Sequence, residues 1–84
     1  MEITIRFFAS LREAVGSESI VCAINDTDCI ADVAHTLGQK YPQFHTFSST
    51  LVFALNGEYA KSTSRLKDGD ELALIPPVSG GIND

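Results

Sequence analysis

Asn25-Asp26-Thr27-Asp28-Cys29-Ile30-Ala31-Asp32-Val33-Ala34-His35-Thr36-Leu37 is the stretch in which the chain changes its period. The first four residues are turn and capping types. After them Ile30, Val33, Ala34 and Leu37 fall at i, i+3, i+4 and i+7, the apolar stripe of an amphipathic helix. Asp28 and Asp32 place negative charge in its first turn, where the helix dipole favours it. Pro42 ends the helix near Tyr41, because the residue before a proline is pushed out of helical geometry. About three turns result, enough to lie across a sheet.

Upstream the period is two. Glu2, Thr4 and Arg6 alternate with Ile3, Ile5 and Phe7, as in a strand with one buried face. Alternation fails at Phe8-Ala9. Ser10 is the expected cap of a short helix, Leu11 to Val15, stopped by Gly16. Ser19 to Ile24 reads as a second strand, with Ile20, Cys22 and Ile24 on one face and Val21 and Ala23 on the other. The two strands form an opening antiparallel hairpin with a long, structured loop.

Downstream, Gln43 to Thr50 is a polar loop in which Phe44 and Phe47 tuck against the helix end. Leu51 to Leu55 reads as a central strand. Asn56-Gly57 is a strong two-residue hairpin signal leading into Glu58-Tyr59-Ala60. Asp68-Gly69-Asp70 is a tight turn before the last strand, Glu71 to Ile75. The order is strand, strand, helix, strand, short strand, strand, which is a two-layer α+β architecture. An opening hairpin, a crossover helix and a last strand returning to the sheet describe a β-grasp: a mixed sheet of about five strands with one main helix on one face.

Eighty-four residues fit one compact domain, expected over residues 1–75, with 76–84 as a flexible tail. A net charge of −5 disfavours nucleic acid and anionic membrane as partners and suits a basic protein surface. Cys22 and Cys29 form no CxxC pair and read as two thiols in a reducing compartment. Met1-Glu2-Ile3-Thr4 lacks the regions of a signal peptide, and no apolar run reaches membrane-spanning length, so a cytoplasmic location is expected. His35 and His45 are ten residues apart, and Asp68, Asp70 and Glu71 read as a solvated acidic turn with a second role in attracting a basic partner. No metal site is expected.

The tail runs Pro76-Pro77-Val78-Ser79-Gly80-Gly81 and then Ile82-Asn83-Asp84. Two prolines stiffen the exit from the last strand, and two glycines remove every side chain beyond it. Such a segment is suited to enter another protein's active site, with the Gly81 carboxylate as reactive group once Ile82-Asn83-Asp84 is removed.

Three segments carry a resemblance to a known family. Ile5-Arg6-Phe7-Phe8-Ala9-Ser10-Leu11-Arg12-Glu13-Ala14-Val15-Gly16 resembles the opening of the molybdopterin synthase small subunits, the MoaD-type sulfur carriers of the ubiquitin-like MoaD/ThiS group. Leu55-Asn56-Gly57 resembles their central hairpin, and Leu66 to Gly81 resembles their closing segment. The similarity spans residues 1 to 81.

The resemblance implies a mechanism. A ubiquitin-activating-enzyme-like adenylyltransferase, using ATP and magnesium, would join the Gly81 carboxylate to AMP. A sulfur donor would displace AMP and leave a thiocarboxylate. That group would deliver sulfur to a pterin precursor on the synthase large subunit in molybdenum-cofactor biosynthesis. The chain would be a cosubstrate that binds no cofactor of its own, with catalytic residues on its partners. Phe8, Tyr59 and Ile75 match positions of a hydrophobic docking surface; the competing reading is ordinary packing against the short helix or the double proline.

The family usually ends at its second glycine, so Ile82-Asn83-Asp84 is a departure. Removal by a processing protease is the preferred account, with use of the Asp84 carboxylate or loss of the carrier role as the others. Carriers for thiamin synthesis or transfer-RNA thiolation, a ubiquitin-like modifier conjugated through Gly81, and a non-transferring interaction module remain as alternatives.

Overall fold

A computed structural model describes residues 1–42, 44 and 51–76. Its elements are β1 (Glu2–Phe7), α1 (Ala9–Val15), β2 (Ser19–Ala23), α2 (Ile30–Lys40), β3 (Val52–Leu55), β4 (Glu58–Ala60) and β5 (Glu71–Ile75). The sheet order is β2-β1-β5-β3-β4. β1 and β5 run parallel, and every other neighbouring pair is antiparallel. A hairpin, a crossover helix and a final strand inserted beside the first make this an α+β β-grasp.

Alternation in β1 sends Ile3, Ile5 and Phe7 to the helix side, where they meet Leu72 and Leu74 of β5 and Ile30, Val33 and Leu37 of α2. Fully burying a side chain of this size stabilises the fold by about 2 kcal/mol, so these residues dominate the core. Phe44 closes it at the end of α2, with its N–H donating to the Tyr41 carbonyl at 2.9 Å. Phe47, expected beside it, lies outside the described residues.

The start of α2 is satisfied from within the chain. The N–H groups of Ile30 and Ala31 donate to the carbonyls of Ser64 and Ser62 at 3.0 and 2.8 Å. Asp32 accepts the Cys29 N–H at 2.9 Å, the acidic half of a capping box. That bond, first, then a hydrogen bond with the Cys29 side chain and the positive charge of His35 and Arg65, hold the Asp32 carboxyl below its ordinary pKa. Asp28, also expected in the first turn, precedes the cap; it accepts the Asn25 N–H at 3.0 Å instead.

Two further expectations need correction. Ser10 does not cap α1: the helix begins at Ala9, with Phe8 in extended geometry as its N-cap. The backbone reverses at Ala9 (φ 51°), one residue after β1 ends, which brings the fully buried Leu11 under the sheet and leaves Ser10 inside the first turn. β3 is an inner strand but not the central one. That place belongs to β5, which pairs with β1 on one side and β3 on the other.

Candidate functional site

Among the described residues, the helices cover one face of the sheet and leave the other open. The registers define what stands on the open face. Arg6 is level with Ala73, Ala73 with Ala54, and Ala54 with Tyr59. In the next row Ile75 is level with Val52, and extended Phe8, one residue past the Phe7–Leu74 pair, lies beside them. Tyr59 is 85% exposed, Val52 39% and Phe8 38%; Ile75 is half-buried. The fold thus gathers Phe8, Tyr59 and Ile75 from β4, β5 and the β1–α1 junction onto one face.

Val52 and the two small residues Ala54 and Ala73 complete that surface, and sequence reasoning did not single them out. The only signal for them was the alternation that leads back two residues from Ile75 to Ala73. Val52 and Ala54 required the pairing register. Arg6 borders the surface, its guanidinium 5.6 Å from the Phe8 ring centroid and 3.2 Å from the Glu71 carboxylate. An apolar surface with a charged rim is the kind of patch that marks interaction sites in proteins generally.

The acidic turn does different work. Asp68 accepts the Glu2 N–H at 2.8 Å, and the Gly69 N–H donates to the Glu2 carbonyl at 2.7 Å. Asp70 accepts the Lys67 N–H at 2.7 Å and the Asn56 side-chain amide at 3.0 Å. These carboxylates stitch three strand ends together. Among the described residues no three His, Cys, Asp or Glu side chains cluster to hold a metal. His35 is exposed and sits 3.3 Å from Gln39; His45 lies outside the described residues. Cys22 and Cys29 are free thiols, both half-buried.

A groove of about 950 Å³ runs between α2 and the β3–β4 hairpin, lined by Ala31, Ala34, His35, Gly38, Phe53 and Ala60 among others. Its polar lining comes from His35, Tyr59, Lys61, Ser62 and Thr63. Pro76, at the end of β5, is buried. The tail residues Pro77, Val78, Ser79, Gly80 and Gly81, and the extension Ile82–Asp84, lie outside the described residues.

The sequence profile of the ThiS family matches residues 5–81, from within β1 through Gly81. The chain belongs to the ThiS family. This ThiS-family chain is 37% identical over 83 residues to a molybdopterin synthase sulfur carrier subunit of Chlamydomonas reinhardtii, covering 96% of this chain and all of that one. It is 31% identical to small archaeal modifier protein 3 of Haloferax volcanii, covering 96% of this chain and all of that protein. Among solved structures it is similar to a chain in the complex of subunits 1 and 2 of the molybdopterin-converting factor of Helicobacter pylori. That match has a TM-score of 0.67 and 27% identity, covering 96% of this chain and all of that one. No helix among the described residues is long and apolar enough to cross a membrane.

Proposed function

We propose that this ThiS-family chain is a sulfur carrier of the molybdopterin synthase type, a cosubstrate that presents a thiocarboxylate on Gly81. The observation that carries this reading is the family match running unbroken through Gly80-Gly81, on a fold whose open face is apolar. Residues 1–75 serve as the handle and residues 76–84 as the tail.

The chemistry follows from the weakness of a carboxylate as an electrophile. Hydrolysis of the Gly81–Ile82 bond by a protease frees the Gly81 carboxylate. An activating enzyme of the adenylyltransferase type, holding ATP and magnesium, exchanges pyrophosphate for the carboxylate and forms an acyl adenylate. A donor of sulfide-level sulfur then attacks the adenylate carbonyl carbon, the bond to the AMP oxygen breaks, AMP leaves with that electron pair, and the sulfur stays on Gly81 as the thiocarboxylate. Glycines at 80 and 81 let the backbone pass a narrow channel with no Cβ to obstruct it.

Phe8, Tyr59, Ile75 and Val52 are the docking surface for the activating enzyme and for the synthase large subunit. The Helicobacter pylori complex, in which a similar chain is found with its second subunit, supports the latter partner. The similarity to a small archaeal modifier protein supports one rival reading, conjugation of Gly81 to a lysine amine.

Mass spectrometry of the intact protein from its native cell separates the two. Loss of residues 82–84 with an oxygen-to-sulfur increment is the expected result. A branched Gly81–lysine peptide instead supports the modifier. Full-length protein ending at Asp84, together with failure to restore synthase activity, overturns the carrier reading.

A further inference from the structure

The five-stranded sheet has two edges, and they are protected unequally. β4 is three residues long, contains Glu58 and is followed at once by Lys61. Short length and charge are what keep an edge from recruiting another strand. β2 has neither. Ser19-Ile20-Val21-Cys22-Ala23 holds no charge and no proline. Its pairing with β1 runs without a bulge from Arg6–Ser19 to Glu2–Ala23. Val21 is 66% exposed.

Alternate residues of an antiparallel strand turn both backbone groups towards one neighbour. The Ile24 N–H donates to the Met1 carbonyl at 2.8 Å, and the Glu18 carbonyl accepts the Phe7 N–H at 2.9 Å. The even-numbered residues therefore face β1, and Ser19, Val21 and Ala23 direct their backbone groups outward. Among the described residues, the Ser19 carbonyl receives the Ser17 hydroxyl, at 2.9 Å, and the Ala23 carbonyl a long contact from the Cys22 thiol, at 3.6 Å.

We propose that Ser19–Ala23 is a self-pairing edge, through which two copies of this chain join by antiparallel β2 strands about a two-fold axis at Val21. Val21 then exchanges both backbone hydrogen bonds with its own copy, and Ser19 exchanges them with Ala23 of the second copy. The two exposed valine side chains meet on the open face. Arg6 stands beside Ser19 and Glu2 beside Ala23 in β1. The pairing therefore sets Arg6 of each copy and Glu2 of the other in one row, with only small side chains between them. This match of apolar, hydrogen-bonding and charged positions to themselves selects a second copy as the occupant. An axis at Cys22 would place Val21 over Ala23 and give up the valine contact.

The axis lies at the sheet edge remote from β3 and β4, so the Val52, Tyr59 and Ile75 surfaces of both copies stay open. The association is weak, because the contact is small and each chain carries −5. Salt strengthens it by screening that repulsion, since the Debye length is only about 10 Å at 0.1 M.

Sedimentation velocity on the full chain tests the proposal, in a concentration series reaching the millimolar range at low and high sodium chloride. A dimer that grows with protein and with salt is expected. Val21→Lys puts like charges opposite each other and should weaken the dimer by about tenfold or more. Ser19→Pro removes an outward N–H at the first residue of the strand, where proline is tolerated, and should weaken it as well. Tyr59→Lys should leave it unchanged, with circular dichroism confirming that each variant folds. A monomer under all conditions, a dimer indifferent to both β2 variants, or one lost on Tyr59→Lys overturns the proposal.

Discussion

Asn56 and Glu71 are tied to each other twice. The Asn56 N–H donates to the Glu71 carbonyl at 2.8 Å, and the Glu71 N–H donates to the Asn56 side-chain oxygen at 2.9 Å. The Asn56 amide then donates to Asp70 at 3.0 Å. One residue at φ 52° thus turns the β3–β4 hairpin and fixes the entry of β5. Asn56→Gly keeps the backbone geometry and loses the side-chain bonds, so a loss of about 1–2 kcal/mol is expected in urea denaturation. Asn56→Ala adds left-handed strain of about 1 kcal/mol more. Equal losses for the two variants would remove the backbone half of this account.

Val52 provides a test of the open face that sequence reading did not supply. Val52→Glu should weaken binding to the synthase large subunit by about tenfold or more, as a charge inside an apolar contact does. Stability should change by no more than about 0.5 kcal/mol, because the side chain is exposed. Calorimetric titration with the large subunit reads the first quantity. Unchanged affinity, with Ile75→Glu also silent, would return these residues to ordinary packing.

How far the sequence disclosed this fold depends on which forces act locally. The periods of β1 and α2, the Asn56-Gly57 turn (φ 52° and 87°) and the stop at Gly16 (φ 84°) are written in neighbouring residues, and all were legible. Ser10 misled because the backbone reversal at Ala9 is imposed by burial of Leu11, a tertiary demand. The place of β3 beside rather than at the centre, and of Val52 and Ala54 beside Ile75, follow from register alone. The acids of the Asp68-Gly69-Asp70 turn read as solvated, and Asp68 is exposed, but their bonds to Glu2, Lys67 and Asn56 across strand ends were not legible. Those partners lie far away in sequence, apart from Lys67, and periodicity carries no trace of them.

Asp32 gives the fold a dependence on acid. Its carboxyl is held below its ordinary value, first by the Cys29 N–H, so the unfolded chain binds the proton at a higher pH than the folded one. The stabilisation is therefore present above the unfolded pKa and is lost as pH falls through the folded one. Asp32→Asn should be less stable than the native chain near neutrality, and the gap should close below about pH 4. Thermal melts across pH check this, and a gap that persists into strong acid would contradict it.

Leu72 lies fully buried in the central strand, level with Ile5 and Leu55. Leu72→Ala should cost about 3 kcal/mol, the transfer of the lost atoms plus the cavity left behind. Guanidinium denaturation measures it. A loss below about 1 kcal/mol would mean that the surrounding core collapses into the gap.

Deleting residues 81–84 should abolish sulfur transfer in a reconstituted synthase assay and leave the melting temperature unchanged. The core among the described residues runs from Ile3 to Leu74, ahead of the deleted segment. A matching loss of thermal stability would show that the tail also holds the fold.

The position of β5 has a mechanical consequence. The chain beyond Pro76 grows directly out of the strand that is bonded on both flanks, to β1 and to β3. Pulled along its own axis, β5 must shear against two neighbours at once, β1 and β3, whereas an edge strand such as β4 would shear against one.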